Sequence, residues 1–561
     1  MDGHRPYIGL TIITPQGNDY CRWWNRRTPL QVLANELQAQ YRAPIVALSV
    51  NNQLEDLRYT PDEDCTVEMV DMTKEAGLRV YARSLAFVLM RTARELFPER
   101  QLEIQFSLNK GFYSELLGDE PLTDEMVNRL RERMWDTIRA AEPIERSVVS
   151  REKAMEILVG AGRQEQAELL RYRTSKEVNL YRCGEFIDFS DEILVPHTGL
   201  ITCYQMLKHY TGILLRHPDS NDAGTLPANV EQKKLSYIFL ESDKWAKIVK
   251  VHNVFELNKY SERGDAGEVI RIAEALHEKK IAQIADRIAD HPEQARLILI
   301  AGPSSSGKTT FAQRLKIQLR VNGLSPVTIA LDDYFFSRDQ TPRDQNGEYD
   351  FEHIDAIDRQ LFNEHLTKLI AGEAVDIPFF NFHTGQREYR EGRKVQIQSN
   401  QPIIIEGIHG LNEALTERVE RSQKFKIYVS ALLQVNLDLM NYIKSTDARA
   451  IRRITRDSKF RSYPAERTLA IWPSVRRGEE RWIFPYQEEA DIMFNSALVY
   501  EPAVIKTYAE PLLRAIPKQS RVYGEAQRLL SLLDYFCVID DQEIAPNSIL
   551  REFIGGSCFA K

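Results

Sequence analysis

The chain is predicted to be an α/β protein built on a parallel sheet with flanking helices, preceded by smaller mixed domains. Two adjoining stretches carry that prediction. Leu297-Ile298-Leu299-Ile300-Ala301 is a short apolar run, the mark of a strand buried in a parallel sheet. It runs into Gly302-Pro303-Ser304-Ser305-Ser306-Gly307-Lys308-Thr309-Thr310 and then into a helical pattern with Phe311, Leu315 and Leu319 on one face. A Gly-x-x-x-x-Gly-Lys-Thr loop between a strand and a helix is a phosphate-binding loop in its proper setting. Gly302 and Gly307 let the backbone turn so that the N–H groups of Ser304, Ser305, Ser306 and Thr310 point at phosphate oxygens, and the helix dipole adds to the attraction. Lys308 would reach the β- and γ-phosphates, and the Thr309 hydroxyl would bind Mg²⁺.

At 561 residues the chain exceeds a single core, and three or four domains are expected. A net charge of −8 argues against dominant non-specific nucleic-acid binding and leaves room for a local basic patch. No apolar run approaches the ~20 residues of a membrane span, and Met1 to Pro6 lacks a signal-peptide apolar core. Cys21, Cys65, Cys183, Cys203, Cys537 and Cys558 are scattered without a Cys-x-x-Cys pair. They read as free thiols of a cytoplasmic protein, not as disulfides or a zinc site.

Residues 1–72 read as a first small domain. Tyr7 to Ile13 is apolar-rich, and Thr28-Pro29-Leu30 opens a helix with a Thr cap and Pro at its first position. Ile45 to Val50 and Cys65 to Val70 are further strands. The layout resembles a TGS domain, a β-grasp sheet wrapped on one helix. Residues 73–265 resemble the second N-terminal, α+β domain of threonyl-tRNA synthetase. The matching stretches are Arg83 to Pro98, Asn109 to Tyr113, Leu122 to Glu125, Pro143 to Glu152 and Pro196 to Ile201. In the synthetase this domain edits mischarged tRNA with a His-x-x-x-His pair and a later Cys-x-x-x-His. Those positions fall here on Arg83, Phe87, Ser190 and Leu194, so the resemblance implies a retained scaffold. His197 and Cys183 have no partner at ligand spacing and read as fold residues. Residues 218–232 form a polar loop. Val269, Ile272, Leu276, Ile281, Ile284 and Ile288 then mark a long amphipathic helix in a linking segment, 266–295.

Beyond the phosphate loop, Val327 to Leu331 is another strand, followed by Asp332-Asp333 at its C-terminal end. Ligand-facing residues sit there in open α/β sheets. Asp332 is placed to take the proton of a hydroxyl attacking the γ-phosphate, and Asp333 competes for that role. Pro402 to Ile408 is a third apolar strand, and its Glu406 carboxylate can hold Mg²⁺ or its waters. In Thr446 to Asp457, Arg449, Arg452, Arg453 and Arg456 share one helical face at i, i+3, i+4 and i+7. An unmixed arginine stripe suits a phosphate clamp.

Residues 296–500 resemble the uridine kinase branch of the phosphoribulokinase/uridine kinase family. Besides the loop, Asp332-Asp333-Tyr334 matches the family's Asp-Ser-Tyr/Phe, and Phe351 to Asp358 matches Phe-Asp-His-Pro-Asp-Ala-Phe-Asp. Glu406-Gly407 and the arginine segment complete the set. The resemblance implies an α/β P-loop kinase that phosphorylates a nucleoside 5′-hydroxyl with ATP or GTP and Mg²⁺. It further implies Asp332 as base, with Lys308, Arg449 and Arg452 catalytic and Arg453 and Arg456 on the nucleotide in a closing lid. Thr309, Glu406 and Asp332 would serve Mg²⁺. Glu352 replaces an Asp that contacts the ribose hydroxyls, and Tyr334, Phe380, His383 and Arg449 complete the acceptor side. The family reads a pyrimidine with Tyr-Asp-Phe-x-x-His, where this chain has Phe380-Asn381-Phe382-His383-Thr384-Gly385. Phe380 replaces the Tyr and Gly385 the His, while His383 is either a substitute contact or a loop residue. Ribose recognition is therefore expected to survive and strict uridine/cytidine selectivity to relax. The alternatives are another small-alcohol or sugar-phosphate kinase, or an RNA- or ribosome-associated nucleotide switch. Candidate partners are the nucleoside, an RNA or nucleotide effector at the N-terminal domains, and a second copy of the chain. Residues 501–561 form a tail with one apolar helix and no assigned chemistry.

Overall fold

The computed structural model describes residues 6–220, 223–291, 295–343, 347, 349–382, 384–398, 401–433 and 435–559. Strand β1 (Tyr7–Ile13) buries Ile8, Leu10 and Ile12 by period-two alternation and pairs antiparallel with β2 (Tyr20–Asn25). Helix α1 (Gln31–Leu37) packs Leu33, Ala34 and Leu37 into the same core. Strands β3 (Ile45–Val50), β4 (Gln53–Glu55) and β5 (Cys65–Asp71) complete the order β2-β1-β5-β3-β4, with β1 and β5 parallel. The helix starts later than the Thr28-Pro29 signal. The Thr28 amide turns back onto the Asn25 carbonyl and the Leu30 amide is taken by Tyr59, so Leu30 stands at the N-cap without a side-chain cap.

Helix α2 (Glu75–Leu96) is the spine of the next unit, with Val80, Leu85, Phe87 and Leu89 wholly buried. Around it lie β6 (Gln101–Leu108), β7 (Gly111–Leu117), α3 (Asp124–Arg139), β8 (Glu145–Ser150), α4 (Arg151–Gly160) and α5 (Gln164–Leu170). Strands β9 (Glu177–Cys183), β10 (Phe186–Phe189), β11 (Gln205–His209) and β12 (Gly212–Arg216) follow. They form two sheets, β10-β9-β8 and β11-β12-β7-β6. Thr123 and Ser150 open α3 and α4 by accepting the Met126 and Lys153 amides, which satisfies donors that a helix start leaves free. Helices α6 (Lys233–Val249) and α7 (Val254–Arg263) lead to α8 (Ala266–Ala289).

The C-terminal half begins with β13 (Leu297–Ala301), α9 (Lys308–Val321) and β14 (Val327–Ala330). Next come α10 (Arg359–Ile370), the pair β15 (Val375–Asp376) with a later β18 (Lys394–Val395), and the hairpin β16 (Phe379–Asn381) and β17 (Gln386–Glu388). Strands β19 (Ile403–Glu406) and β20 (Lys424–Ser430), helices α11 (Ser445–Arg461) and α12 (Ala465–Trp482), and β21 (Ile492–Asn495) complete the layer. The sheet order is β14-β19-β13-β20-β21 and every pair is parallel. Helices cover both faces, so β13 is buried at all five positions and an unbroken apolar run is what it needs. Helices α13 (Glu501–Arg514), α14 (Tyr523–Asp534) and the short α15 (Arg551–Ile554) close the chain against α11.

Helix α8 clamps the phosphate-loop helix, since Glu278 accepts from Arg314 at 2.6 Å and from Gln318 at 2.5 Å. The segment leading into α11 reaches into the N-terminal half. Ile104 donates to the Leu439 carbonyl at 2.8 Å, Arg83 donates to Met440 at 3.0 Å, and the Met440 side chain is wholly buried in the core around α2. Among the described residues no helix is long and apolar enough to cross a membrane.

Candidate active site

The ends of β13, β14 and β19 meet at one edge of the sheet, the position at which open α/β folds bind ligands. After β13 the chain turns at Gly302, and Gly307 takes φ +83°, a conformation that side chains disfavour, so that α9 can start at Lys308. The Ser304 amide donates to the Glu479 carboxylate at 3.0 Å, and the Thr310 amide donates to Glu552 at 3.1 Å. The loop amides are thus aimed at anionic oxygens. The Lys308 ammonium folds back onto the Pro303 carbonyl at 3.1 Å. The hydroxyls of Ser305 and Ser306 are buried without a partner among the described residues.

At the end of β14 the two aspartates differ. Asp333 is held on both oxygens, by the Phe380 amide at 3.3 Å and by Arg393 at 2.7 Å. No group among the described residues donates to the Asp332 carboxylate. Burial pushes Asp332 above the usual carboxylate range, against the pull of Lys308 and Arg461 and with a push from Asp333. Burial raises Glu406 as well, Lys308 opposes this, and the charge of Asp332 adds to it. The Thr309 hydroxyl lies 3.4 Å from Glu406, a long contact. Hydroxyl and carboxylate oxygens are the donor set of a hard cation. Among the described residues no three His, Cys, Asp or Glu side chains close on a metal position. Glu352 is pushed up to about 7, chiefly by burial and against the attraction of Arg453. One of its oxygens is buried without a partner.

The arginine stripe divides. All five N–H groups of Arg452 are spoken for, by both Glu501 oxygens, the Ser305 and Ser496 carbonyls and the Ser496 hydroxyl. A phosphate clamp was expected from Arg452, but it holds the loop from behind. Arg449 is paired bidentately with Glu479 and donates to the Ser304 carbonyl at 3.0 Å, so it too supports the loop. Arg453 donates to the Ser304 hydroxyl at 2.7 Å and Arg456 pairs with Asp457, both on the cleft side of α11. Arg461, one turn beyond Asp457, was not singled out by the sequence, although its spacing of eight from Arg453 continues that side. Burial, together with the nearby Arg456, brings Arg461 down to about 10, against the pull of Asp457.

Two acceptor-side expectations need correction. Tyr334 is wholly buried, edge-on to Phe362 and hydrogen-bonded to His365 at 3.1 Å, so it faces the core and not a substrate. Phe380 is 2% exposed, wedged edge-on between Phe335 and Phe382, and offers no open face for stacking. The open ring belongs to Phe382, 38% exposed, with the Arg461 guanidinium 4.8 Å from its centroid. His383 lies outside the described residues. Gly385 sits at φ +72° and its amide closes a tight turn onto Asn381 at 2.7 Å, so a His side chain would be strained there.

In the N-terminal half, Phe87 packs edge-on against Phe186, and Ser190 and Leu194 are buried at 1% and 0% exposure. Arg83 is the one of the four positions that carries charge. The sequence missed the neutralising carboxylates Glu479, Glu501 and Glu552, which sit in helices without a motif.

A parallel sheet, a phosphate loop and carboxylates at the strand ends define the C-terminal half as a P-loop kinase. Residues 297–500 match the model of the Phosphoribulokinase / Uridine kinase family. The N-terminal region is similar to threonyl-tRNA synthetases. A threonine–tRNA ligase of Aromatoleum aromaticum is 27% identical over 267 residues, 47% of this chain and 39% of the ligase. One from Nitratidesulfovibrio vulgaris is 29% identical over 164 residues, 29% of this chain and 26% of the ligase. The chain therefore spans well under half the length of these curated relatives. Among solved structures, that of a possible uridine kinase from Bacillus stearothermophilus is 20% identical and covers 39% of this chain and 98% of that one, with a TM-score of 0.27.

Proposed function

We propose that the chain is an Mg²⁺-dependent nucleoside kinase that moves the γ-phosphoryl group of ATP to a 5′-hydroxyl. The observation that carries this reading is the contrast between Asp332 and Asp333. Asp333 is locked by Arg393 and the Phe380 amide, while Asp332 stands partly buried near Lys308 with no donor to its carboxylate among the described residues. Asp332 is then the base that takes the hydroxyl proton, and its raised affinity for a proton suits that role. Lys308, Arg453 and Arg456 face the transferred charge, and Glu352 accepts from ribose hydroxyls. Bound nucleotide and Mg²⁺ would supply the phosphoryl group and neutralise its charge, with Thr309 and Glu406 as the residues that hold the metal. Arg449 and Arg452 act indirectly, by fixing the loop carbonyls. The N-terminal half is read as a scaffold that has lost editing chemistry.

The open Phe382 ring and Arg461 favour tolerant stacking over a hydrogen-bonded reading of one base. The test is kcat/KM for uridine, cytidine, adenosine, guanosine and inosine, with a phosphorylated sugar in the same screen. Acceptor-dependent ADP formation with several nucleosides is expected. A preference for uridine above about a hundredfold over every purine would overturn the relaxed pocket. Turnover with the sugar phosphate alone would move the assignment to the sibling class, for which Arg456 and Arg461 beside Asp332 also offer phosphate donors. Slow hydrolysis that responds to RNA and to no acceptor would identify a switch instead.

A further inference from the structure

The phosphate loop already carries an anion, and it comes from the far end of the chain. Helix α15 brings Glu552 to the N-terminus of α9, where its carboxylate accepts the Thr310 amide at 3.1 Å. Thr310 is 3% exposed, and its amide is among those a P-loop turns toward the α- and β-phosphates. One N–H cannot serve both acceptors. The tail that carries it is packed against the loop and α11. Ile549, Leu550 and Phe553 are wholly buried, and Ile549 lies 2.6 Å from where a Cβ on Gly307 would stand. The Phe553 ring faces the Arg452 guanidinium at 4.8 Å, and Lys459 of α11 donates to the Ile554 carbonyl at 2.6 Å. The carboxylate adds negative charge beside Glu406, where an incoming phosphate would bring more. Glu552 itself lies about fifty residues past residue 500, where the family match ends.

We propose that Glu552 is an intramolecular competitor for the nucleotide. The tail strap holds its carboxylate on the phosphate loop, and nucleotide binding displaces it. This rests on the reading of the loop as a nucleotide site. Reciprocity then requires that whatever draws the strap off the loop tightens nucleotide binding by the same factor.

The experiment is calorimetric titration of Mg·ADP into the full chain, as wild type, Glu552→Gln and Glu552→Asp. Glutamine keeps the shape and removes the charge, and aspartate keeps the charge but falls short of Thr310. Losing a charge-assisted hydrogen bond that must be broken on binding is expected to tighten Kd about tenfold in both variants. Hydrogen exchange over residues 548–556 of the wild type is expected to rise when Mg·ADP is added. Equal or weaker binding by both variants, with no change in exchange, would make Glu552 a fixed cap and overturn the proposal while leaving the nucleotide site intact. Binding by neither wild type nor variants would overturn both.

Discussion

Two partly buried glutamates, one in each half of the molecule, are treated in opposite ways. Glu192, in the N-terminal half, is held down to about 2, because Lys444, Arg83, Arg79 and Arg528 together outweigh the cost of burial. Glu352, in the kinase cleft, is pushed up to about 7, because burial outweighs the attraction of Arg453 and Lys308. Further groups repeat the contrast, although burial also raises Glu103 of the N-terminal half to about 7. In the N-terminal half Arg163 meets Asp188 and Arg58 meets Asp56, while in the cleft Asp332 and Glu406 are raised together. Paired charges of the first kind stabilise a fold, whereas a carboxylate short of a partner is one mark of a site that takes a charged ligand.

The largest effect should come from breaking a pair that is neutralised. Arg452→Met leaves Glu501 buried and alone and should cost about 3–5 kcal/mol of stability in denaturant unfolding. Adding Glu501→Leu should recover much of that loss, since it removes the orphaned charge. Asp332→Asn is the opposite case. It should leave the fold intact and nucleotide binding in place while turnover falls about a hundredfold or more. Asp333→Asn should instead lower stability, because Arg393 loses its partner. If Asp333→Asn is the inactive, well-folded variant and Asp332→Asn turns over, the base is the neighbouring residue.

Why the sequence showed some of this and not the rest follows from distance along the chain. The loop from Gly302 to Thr310 is legible because its strand, its glycines and its helix are consecutive residues. The arginines of α11 are equally visible, but Glu479 and Glu501 approach from other helices. A face that looks unmixed on its own helix is therefore mixed in the fold. Tyr334 follows the aspartates as the motif requires, yet the turn after β14 sends its ring into the core against Phe362. The late start of α1 has a similar cause, since Tyr59 takes the amide that a local cap would have left free. Glu552 had no signal at all, because a single carboxylate in a tail acquires meaning only beside Thr310.

A pH experiment sharpens the contrast at a smaller scale. The folded-state value of Glu352, about 7, lies above its ordinary 4.5, so the native state binds more protons than the unfolded state between the two. Its contribution to stability is therefore intact below about pH 4.5 and declines as pH rises toward 7. Glu352→Gln should raise the melting temperature relative to wild type at pH 8, and the gap should close near pH 5. A gap that stays constant across that range would mean the carboxyl is not raised. Turnover should suffer in the variant at every pH, because the amide offers a ribose hydroxyl a weaker acceptor.

The smallest effect is expected at Arg83, where the N-terminal half meets the segment leading into α11. Its guanidinium donates to the Met440 carbonyl at 3.0 Å and adds to the positive field around Glu192. Arg83→Ala removes one charge-assisted hydrogen bond at a half-buried position, so a loss near the low end of the usual ~1.5–3 kcal/mol is expected. With Phe87, Ser190 and Leu194 packed into the core beside it, the protein should hold no stoichiometric zinc and should not deacylate mischarged tRNA. Elemental analysis and a deacylation assay check this directly. Stoichiometric zinc, or deacylation that Arg83→Ala abolishes, would break the comparison at its root. The N-terminal interior would then hold working chemistry among its paired charges.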